Sequence, residues 1–351
     1  MMLPVSLLAL LLLQYCQWIE SRGLSNYITM EEFVSSVISR ASNFDYKPHY
    51  VGNNLHLIKA GHHNLTHNST NSNIADNNPN KLVKLAFKCH NLFTSALETI
   101  NVTWPPPPLM PTIYTNEFTF DQQIPVVPFY CEDKKQNGGT GYYWKKEDID
   151  KNNGDCDCGQ YLRGHCDIAM KKYVNYIKDK NGYVFGTQFP WAESGLLAKG
   201  AAHITTVEYM RIDTNHPRLN GIHPHDIAKS YLTGNYTHLL YDFAWSFSSF
   251  EHDGLGRYGD PINPFSDLES IARVHCLLKP GGLFFLGIPV AADAVYWNAH
   301  RIYGALRLNL IFRMHWELID VIGAEKTVEH LSDDFNHQPI FVLQKKNHDT
   351  Y

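Results

Sequence analysis

The chain has 351 residues, 44% of them apolar and 19% charged, which is enough to bury one large core or two modest ones and too apolar for global disorder. Its 30 basic and 35 acidic residues leave a formal charge of -5, so there is no electrostatic footprint for tracking a nucleic-acid backbone, and nucleic acid is not an expected partner. Seven cysteines are too few for a fold held together mainly by disulfides, and what they mean depends on the compartment.

Leu3 to Leu13 is almost unbroken aliphatic sequence. At roughly eleven residues it has the length of a signal-peptide core and falls short of the roughly 20 that span a bilayer. Residues 1–21 are therefore expected to be a signal peptide. Counting on through Tyr15, Cys16, Trp18 and Ile19 leaves an uncleaved signal anchor as the alternative. Either reading puts the rest of the chain in the secretory lumen or outside the cell, membrane-bound only if the segment is uncleaved. Acceptor sequons for N-glycans at Asn64, Asn68, Asn101 and Asn235 agree with that compartment, and no retention tetrapeptide stands at the C-terminus.

Thr29 to Glu32 has the pattern of a capping box, opening a short helix through Phe33, Val34, Val37 and Ile38. Residues 61–80 are dominated by Asn, His, Ser and Thr and read as a loop carrying glycans. Residues 81–100 return to helical periodicity, with Leu85, Leu92, Phe93 and Leu97 near one face. Together these make residues 24–104 a helical N-terminal region. Pro105 to Pro108 favour polyproline II, so residues 105–164 begin as a stiff linker and continue as an irregular, cysteine-bearing segment.

From about residue 165 the texture changes. A helix over 170–180 precedes a strand at 183–187, a helix at 192–199, a strand at 203–209 ending near Glu208, and a weak strand at 220–223. A helix at 225–232, a strand at 238–246, a helix at 268–278, a Lys279-Pro-Gly-Gly282 turn and a strand at 283–288 follow. Strands alternating with helices predict an α/β fold over 165–346: a Rossmann-like, doubly wound, mostly parallel sheet behind an irregular and helical N-terminal extension. Ligands bind such sheets beyond the carboxyl ends of the strands, at the topological switch point. Gly186, Thr187 and Gln188 after the first strand, and Glu208 after the second, have the spacing that holds a nucleotide-type cofactor, the carboxylate taking ribose hydroxyls.

Tyr241 to His252, the helix containing Leu268 to Arg273, and Leu277-Leu-Lys-Pro-Gly-Gly-Leu-Phe-Phe-Leu286 resemble the fourth- and fifth-strand motifs of class I S-adenosylmethionine-dependent methyltransferases. More closely, Phe250-Glu-His-Asp-Gly-Leu-Gly-Arg-Tyr-Gly-Asp-Pro261, with Pro190-Trp191 and Thr206 to Tyr209, resembles the nematode domain-of-unknown-function family 268, a methyltransferase-like group, over roughly residues 165 to 345. The resemblance implies that S-adenosylmethionine is the cofactor, that Glu208 binds its ribose, and that Ser246, Glu251 and His252 border cofactor and acceptor. The first loop departs from the pattern: a single Gly186 followed by Thr187, Gln188 and Phe189 stands where class I enzymes carry two or three glycines, which places side chains in space that glycine leaves open.

If the site is active, Glu251 or His252 is the expected general base, assisted by Asp253. The alternative is that Glu251-His-Asp253 caps the strand and orders the Gly254-Leu-Gly256 loop. Arg257, Tyr258 and Asp260 either contact an acceptor or pin that loop. Cys156, Cys158, His165 and Cys166 are close enough for zinc, although an oxidising lumen favours disulfides, with Cys89 and Cys131 as further partners. Asp148 to Asp155 mimics the start of a calcium loop but reaches Gly159 where a bidentate Glu is required, and no resident metal is expected. The leading expectation is a secretory-pathway methyltransferase acting on a small molecule, glycan or protein. A catalytically inactive lumenal binding protein on the same sheet is the alternative. A sugar-nucleotide transferase would need an Asp-x-Asp motif after a strand, and Asp148-Ile-Asp150 and Asp155-Cys-Asp157 lie instead in the irregular segment.

Overall fold

A computed structural model describes residues 34, 35, 37, 46–51, 54–59, 88–97, 105–131, 141–152, 160–234, 236–324 and 337–346. The expected signal at 1–21, the glycan acceptors Asn64, Asn68, Asn101 and Asn235, the Asn-rich loop and the Cys156–Cys158 pair lie outside them. Strands Tyr46–Val51 (β1) and Asn54–Lys59 (β2) pair antiparallel, and Cys89–Leu97 (α1) is the helix expected within 81–100. Val34, Ser35 and Val37 are helical, and Val37 is buried.

The segment read as irregular carries regular elements among its described residues. It holds helix Thr115–Thr119 (α2), strands Val126–Val127 (β3) and Tyr142–Trp144 (β4), and helix Lys146–Asn152 (α3). Elements this short repeat no pattern in sequence, and their order comes from pairing with distant strands. Asp148 and Asp150 thus sit on a helix, with Asp150 paired to Lys146 and to His216 at 3.4 Å, which is not the loop a calcium ion needs. The proline run is likewise not a free linker. Pro106 is buried, its carbonyl accepts the Tyr130 hydroxyl at 2.6 Å, and the Pro107 carbonyl accepts the Trp297 indole N–H at 2.9 Å.

Helices Gln160–Lys172 (α4) and Val174–Ile177 (α5) lead into strand Asn181–Phe185 (β5), helix Trp191–Ala198 (α6) and strand His203–Val207 (β6). The helix expected at 170–180 begins ten residues earlier and breaks at Tyr173. Strands Ile212–Thr214 (β7) and Leu219–Ile222 (β8), helix Pro224–Leu232 (α7), strand Tyr241–Phe247 (β9) and helix Ser266–Leu277 (α8) follow. Strand Leu278–Gly287 (β10) absorbs the Lys-Pro-Gly-Gly stretch as a register break between Leu278 and Leu283 rather than a separate turn. Ala294–Tyr296 (β11), His300–Ile302 (β12), Ala305–Arg313 (α9), Trp316–Ile322 (β13) and Ile340–Lys345 (β14) complete the described chain.

Seven strands form one sheet in the order β13-β14-β10-β9-β5-β6-β8, all parallel except β14, which runs antiparallel to both its neighbours. This is the doubly wound, class I methyltransferase-like architecture expected from the sequence. The buried strands are continuous apolar runs because both faces are covered. Along β9 and β10, Phe243, Trp245, Leu283 and Phe285 pack toward α4, α5 and α6, while Ala244, Phe284 and Leu286 pack toward α7, α8 and α9. The chain leaves β5 toward β6 on one side and returns through β9 on the other, so the switch point lies between the ends of β5 and β9.

The N-terminal helix is bolted to this sheet. Cys89 of α1 and Cys276 of α8 form a disulfide across 187 positions of sequence, and Phe93 stacks on Tyr231 of α7 with ring centroids 4.1 Å apart. Cys131 and Cys166 are unpaired among the described residues. His165 and Cys166 are buried in α4, where no group of metal-ligating side chains forms among the described residues.

Candidate functional site at the switch point

A cavity of about 380 Å³ opens at the carboxyl ends of β5, β6 and β9, where the topology puts a ligand. Its floor is the loop after β5. Gly186 has φ +67, and a Cβ there would stand 1.7 Å from the Ser249 hydroxyl, so the two loops meet only because position 186 has no side chain. Thr187 turns back to donate its hydroxyl to the Phe189 carbonyl at 2.5 Å, and the Phe189 side chain swings out to 72% exposure. The non-glycine side chains of this loop therefore leave the space open, and the departure noted in the sequence does not fill the pocket.

Glu208 follows β6 on the cavity wall, its carboxylate accepting the N–H of Tyr209 at 2.8 Å. Burial pushes its pKa up to about 7 against the pull of those backbone donors, with the Asp260 carboxylate adding to the rise. The third part of the wall is the segment after β9. Ser248, Ser249, His252, Asp253, Tyr258 and Asp260 line it, whereas Ser246 lies within the strand, buried and off the wall. Glu251 is also buried and off the wall. One oxygen accepts the Ser248 hydroxyl at 2.7 Å, and burial raises its pKa to about 7. Its place makes it a support for Ser248.

The loop beyond is pinned from below. Asp260 accepts the N–H groups of Gly254, Gly256 and Tyr258, at 2.6, 3.1 and 3.0 Å. Gly254 has φ +77, and a Cβ there would meet the Asn263 carbonyl at 2.0 Å. The fully buried Arg301 donates to the carbonyls of Glu251, Asp253, Asn263 and Pro264. Asp260 thus orders the loop, and a rigid loop presents Asp253 to the cavity.

His252 faces the cavity as a neutral ring. Its Nδ1 lies 2.5 Å from the Ala299 carbonyl, which requires the proton on Nδ1 and leaves Nε2 as an acceptor. Burial, opposed by that hydrogen bond and helped by the nearby Arg257, His300 and Arg301, lowers its pKa to about 3. A group so weakly basic takes a proton poorly at neutral pH, contrary to the expectation for this residue. Asp253 differs: burial, and repulsion from Asp260, raise it to about 8 although the Ser270 hydroxyl donates to it at 2.6 Å.

Sequence reasoning missed part of the wall. Ser270, Arg273 and Leu277 form a stripe along α8, and Phe93 comes from α1. The stripe carries a signal, a Ser and an Arg at helical spacing on a face otherwise bound for the core. Phe93 shows in the sequence only as an apolar helix position, and what it faces is set by the packing of α1 on α7 and α8 together with the disulfide. Glu208, Asp253 and Asp260 outnumber the guanidinium of Arg273 on the wall, which suits a ligand with hydroxyl groups and, where the carboxyls ionise, positive charge.

Residues 179–347 match the family model described as "Caenorhabditis protein of unknown function, DUF268". The seven-stranded sheet lies within the matched residues, and so does the cavity lining apart from Phe93. No curated protein matches the chain. Among solved structures, the chain is similar to "A putative sam-dependent methyltransferase from Streptococcus mutans", at 13% identity and a TM-score of 0.34 over 50% of this chain and 47% of that one. A second, a "putative methyltransferase complexed with SAH", shows 13% identity and a TM-score of 0.32 over 50% of this chain and 49% of that one. A third, a "putative S-adenosylmethionine dependent methyltransferase from Listeria monocytogenes", shows 12% identity and a TM-score of 0.32 over 52% of this chain and 99% of that one. The chain spans about half the length of the first two. Likenesses at this level carry no functional argument, and the reading below rests on the cavity.

Proposed function

We propose that the cavity binds S-adenosylmethionine and that the protein transfers its methyl group to a small-molecule, glycan or protein acceptor in the secretory pathway. The observation that carries this reading is that the Gly186 loop, Glu208 and Asp253 all line one cavity at the switch point. Glu208 is placed to accept ribose hydroxyls, and the Gly186–Gln188 backbone to lie along the amino-acid part. Bound there, the cofactor supplies an electrophilic methyl on a sulfonium sulfur. Asp253 takes the proton that the attacking hydroxyl or amine loses, and its raised pKa of about 8 suits that task near neutral pH. Catalysis beyond that is positioning by the pinned loop.

The compartment belongs to the same proposal. The Cys89–Cys276 disulfide agrees with an oxidising environment, and no helix among the described residues is long and apolar enough to cross a membrane. The N-terminal leader and the four glycan sites remain part of the proposal, as do the divisions at residues 24, 105 and 165. One observation favours the silent-binder alternative: Glu251 is buried off the wall and His252 is a poor base, so proton removal falls to Asp253 alone.

Calorimetry with the glycosylated protein tests the reading. S-adenosylmethionine and S-adenosylhomocysteine should both bind, and Glu208→Ala should weaken both by about tenfold or more, the value of one lost charge-assisted pair of hydrogen bonds. No heat from either nucleoside at millimolar concentration would sink it. Binding that survives Asp253→Asn while methyl transfer to an extract of acceptors disappears would separate an enzyme from a silent binder.

A further inference from the structure

The cavity is not complete within the DUF268 segment. Phe93, 2% exposed, belongs to a helix that ends more than eighty residues before the matched segment begins, yet its ring forms part of the wall. Its position is fixed by two junctions. Cys89 lies one helical turn before Phe93 on the same face and is bonded to Cys276, whose neighbour Leu277 is also on the wall. Phe93 itself stacks on Tyr231, one turn after Ile227, which lines the cavity too. Each of the helices α1, α7 and α8 therefore brings one apolar wall residue to within a turn of the place where it is joined to another.

A nine-residue helix is too short to persist by itself in water, so α1 depends on what holds it. Among the described residues that is packing on α7 and α8, a smaller contact with β2, and the covalent link to Cys276. The link closes a very long loop, the arrangement in which a crosslink restricts the open chain most.

We infer that Phe93 is a ligand-positioning residue and that the Cys89–Cys276 disulfide couples the affinity of the cavity to the redox state of its surroundings. Cleavage is thiol–disulfide exchange: a dithiol reductant gives two electrons and two protons, the Sγ–Sγ bond breaks to two thiols, and the reductant leaves as a disulfide. With the bond gone, α1 lifts and the apolar end of the cavity opens to water. A chain that meets a reducing compartment then has a weak site, and one that has been oxidised has a tight one. The choice of probe, S-adenosylhomocysteine, rests on the proposed function, whereas the coupling itself does not.

The test uses the full chain, oxidised, beside Cys89→Ser and Phe93→Ala, with Phe93→Leu as the conservative variant. Amide hydrogen exchange over 90–97 should rise at least about tenfold in Cys89→Ser while exchange in β5 and β9 stays as in the wild type, the pattern of local rather than global opening. S-adenosylhomocysteine affinity should fall about tenfold in both Cys89→Ser and Phe93→Ala and recover in part with Phe93→Leu. Exchange over 90–97 unmoved by Cys89→Ser, or affinity in Phe93→Ala within about twofold of wild type, overturns the inference. If the oxidised wild type binds no nucleoside at all, the proposed function fails by itself. Exchange at 186–190 then decides the inference: protection unchanged in both Phe93→Ala and Cys89→Ser overturns it, and loss of protection in both supports it.

Discussion

Gly186 and Ser249 meet in the lining of the cavity so closely that a methyl group on the first would stand 1.7 Å from the hydroxyl oxygen of the second. The contact joins the loop after β5 to the loop after β9 at the switch point, and the positive φ of Gly186 adds backbone strain for any other residue. Gly186→Ala should lower stability by about 1–3 kcal/mol and abolish nucleoside binding. Gly186→Ala with Ser249→Ala should recover part of the stability, because the clash is removed while the strain remains. Urea unfolding with parallel titration measures both, and equal stabilities for the single and double variants would show that the contact is not what selects glycine.

The pH dependence of stability follows from buried carboxyls. Glu193 is fully buried, accepts the Thr206 hydroxyl at 2.7 Å, and burial raises its pKa to about 8; Glu208 and Glu251 are raised to about 7, and Asp253 to about 8. A raised carboxyl binds its proton more tightly folded than unfolded, so its contribution is present below the unfolded pKa and is lost as pH climbs through the folded value. The six lowered imidazoles His165, His216, His223, His225, His252 and His300 act oppositely, and their contribution is lost as pH falls through about 6.5, the unfolded value. From about pH 7.5 to 8.5 those imidazoles are neutral in both states and the carboxyls dominate, so Tm should fall across that window. Glu193→Gln, which keeps an acceptor for Thr206 without the charge, should flatten the fall and raise Tm at pH 8. A Tm that rises from about pH 7.5 to 8.5 would contradict the assignment.

Asp267 is the counter-ion of two buried guanidiniums. Its carboxylate accepts Arg307 at 2.9 Å and the Tyr303 hydroxyl at 2.9 Å, and Arg301 lies 3.6 Å away. Asp267→Asn leaves both cations uncompensated, with an expected loss of about 3–5 kcal/mol, where most single substitutions lose far less. Since Arg301 holds the carbonyls of the 251–264 loop, the same variant should loosen amide exchange at Gly254 and Gly256. Chemical denaturation at neutral pH checks the first outcome and exchange the second.

Ligand charge should be visible in the cavity's titration. Glu208 and Asp253 pass from neutral to charged around pH 7 to 8, facing Asp260, Arg273, Ser270 and Tyr209. A sulfonium cation favours the deprotonated pair, so S-adenosylmethionine should bind roughly tenfold more tightly at pH 8.5 than at pH 6, a shift of about one unit in one group. S-adenosylhomocysteine, which lacks the sulfonium charge, should change less. Parallel slopes for the two nucleosides would remove charge as the basis of recognition.

How much of this was legible in the sequence varies with the physics of each part. Strands β5, β9 and β10 read from apolar runs, β6 and the weak β8 from their place between helices, and Gly186 and Glu208 from their positions after strands. Strands β3, β4 and β7 have two or three residues and no period to detect. The early start of α4 is hidden by Gly164 and by a buried His165 that breaks the apolar count. Ser246 and Ser249 stand three residues apart in similar sequence, and only the end of β9 decides which one faces the cavity. His252 looks like a base by residue type, and its burial against Ala299 is a three-dimensional fact.

The amide of Asn298 grips the backbone of Cys131 at both ends, accepting its N–H at 2.7 Å and donating to its carbonyl at 2.8 Å, beside the parallel pairing of β3 with β11. With Trp297 docked under Pro107, this makes residues 105–131 a strap along β11 and the 254–265 loop. A chain trimmed to begin at residue 179 would keep every strand of the large sheet and still expose an unpaired edge at β11, a bare indole and a severed Cys276. The unit that is inherited and the unit that folds have different borders here, and an expression strategy drawn from the first would yield a sticky fragment of the second.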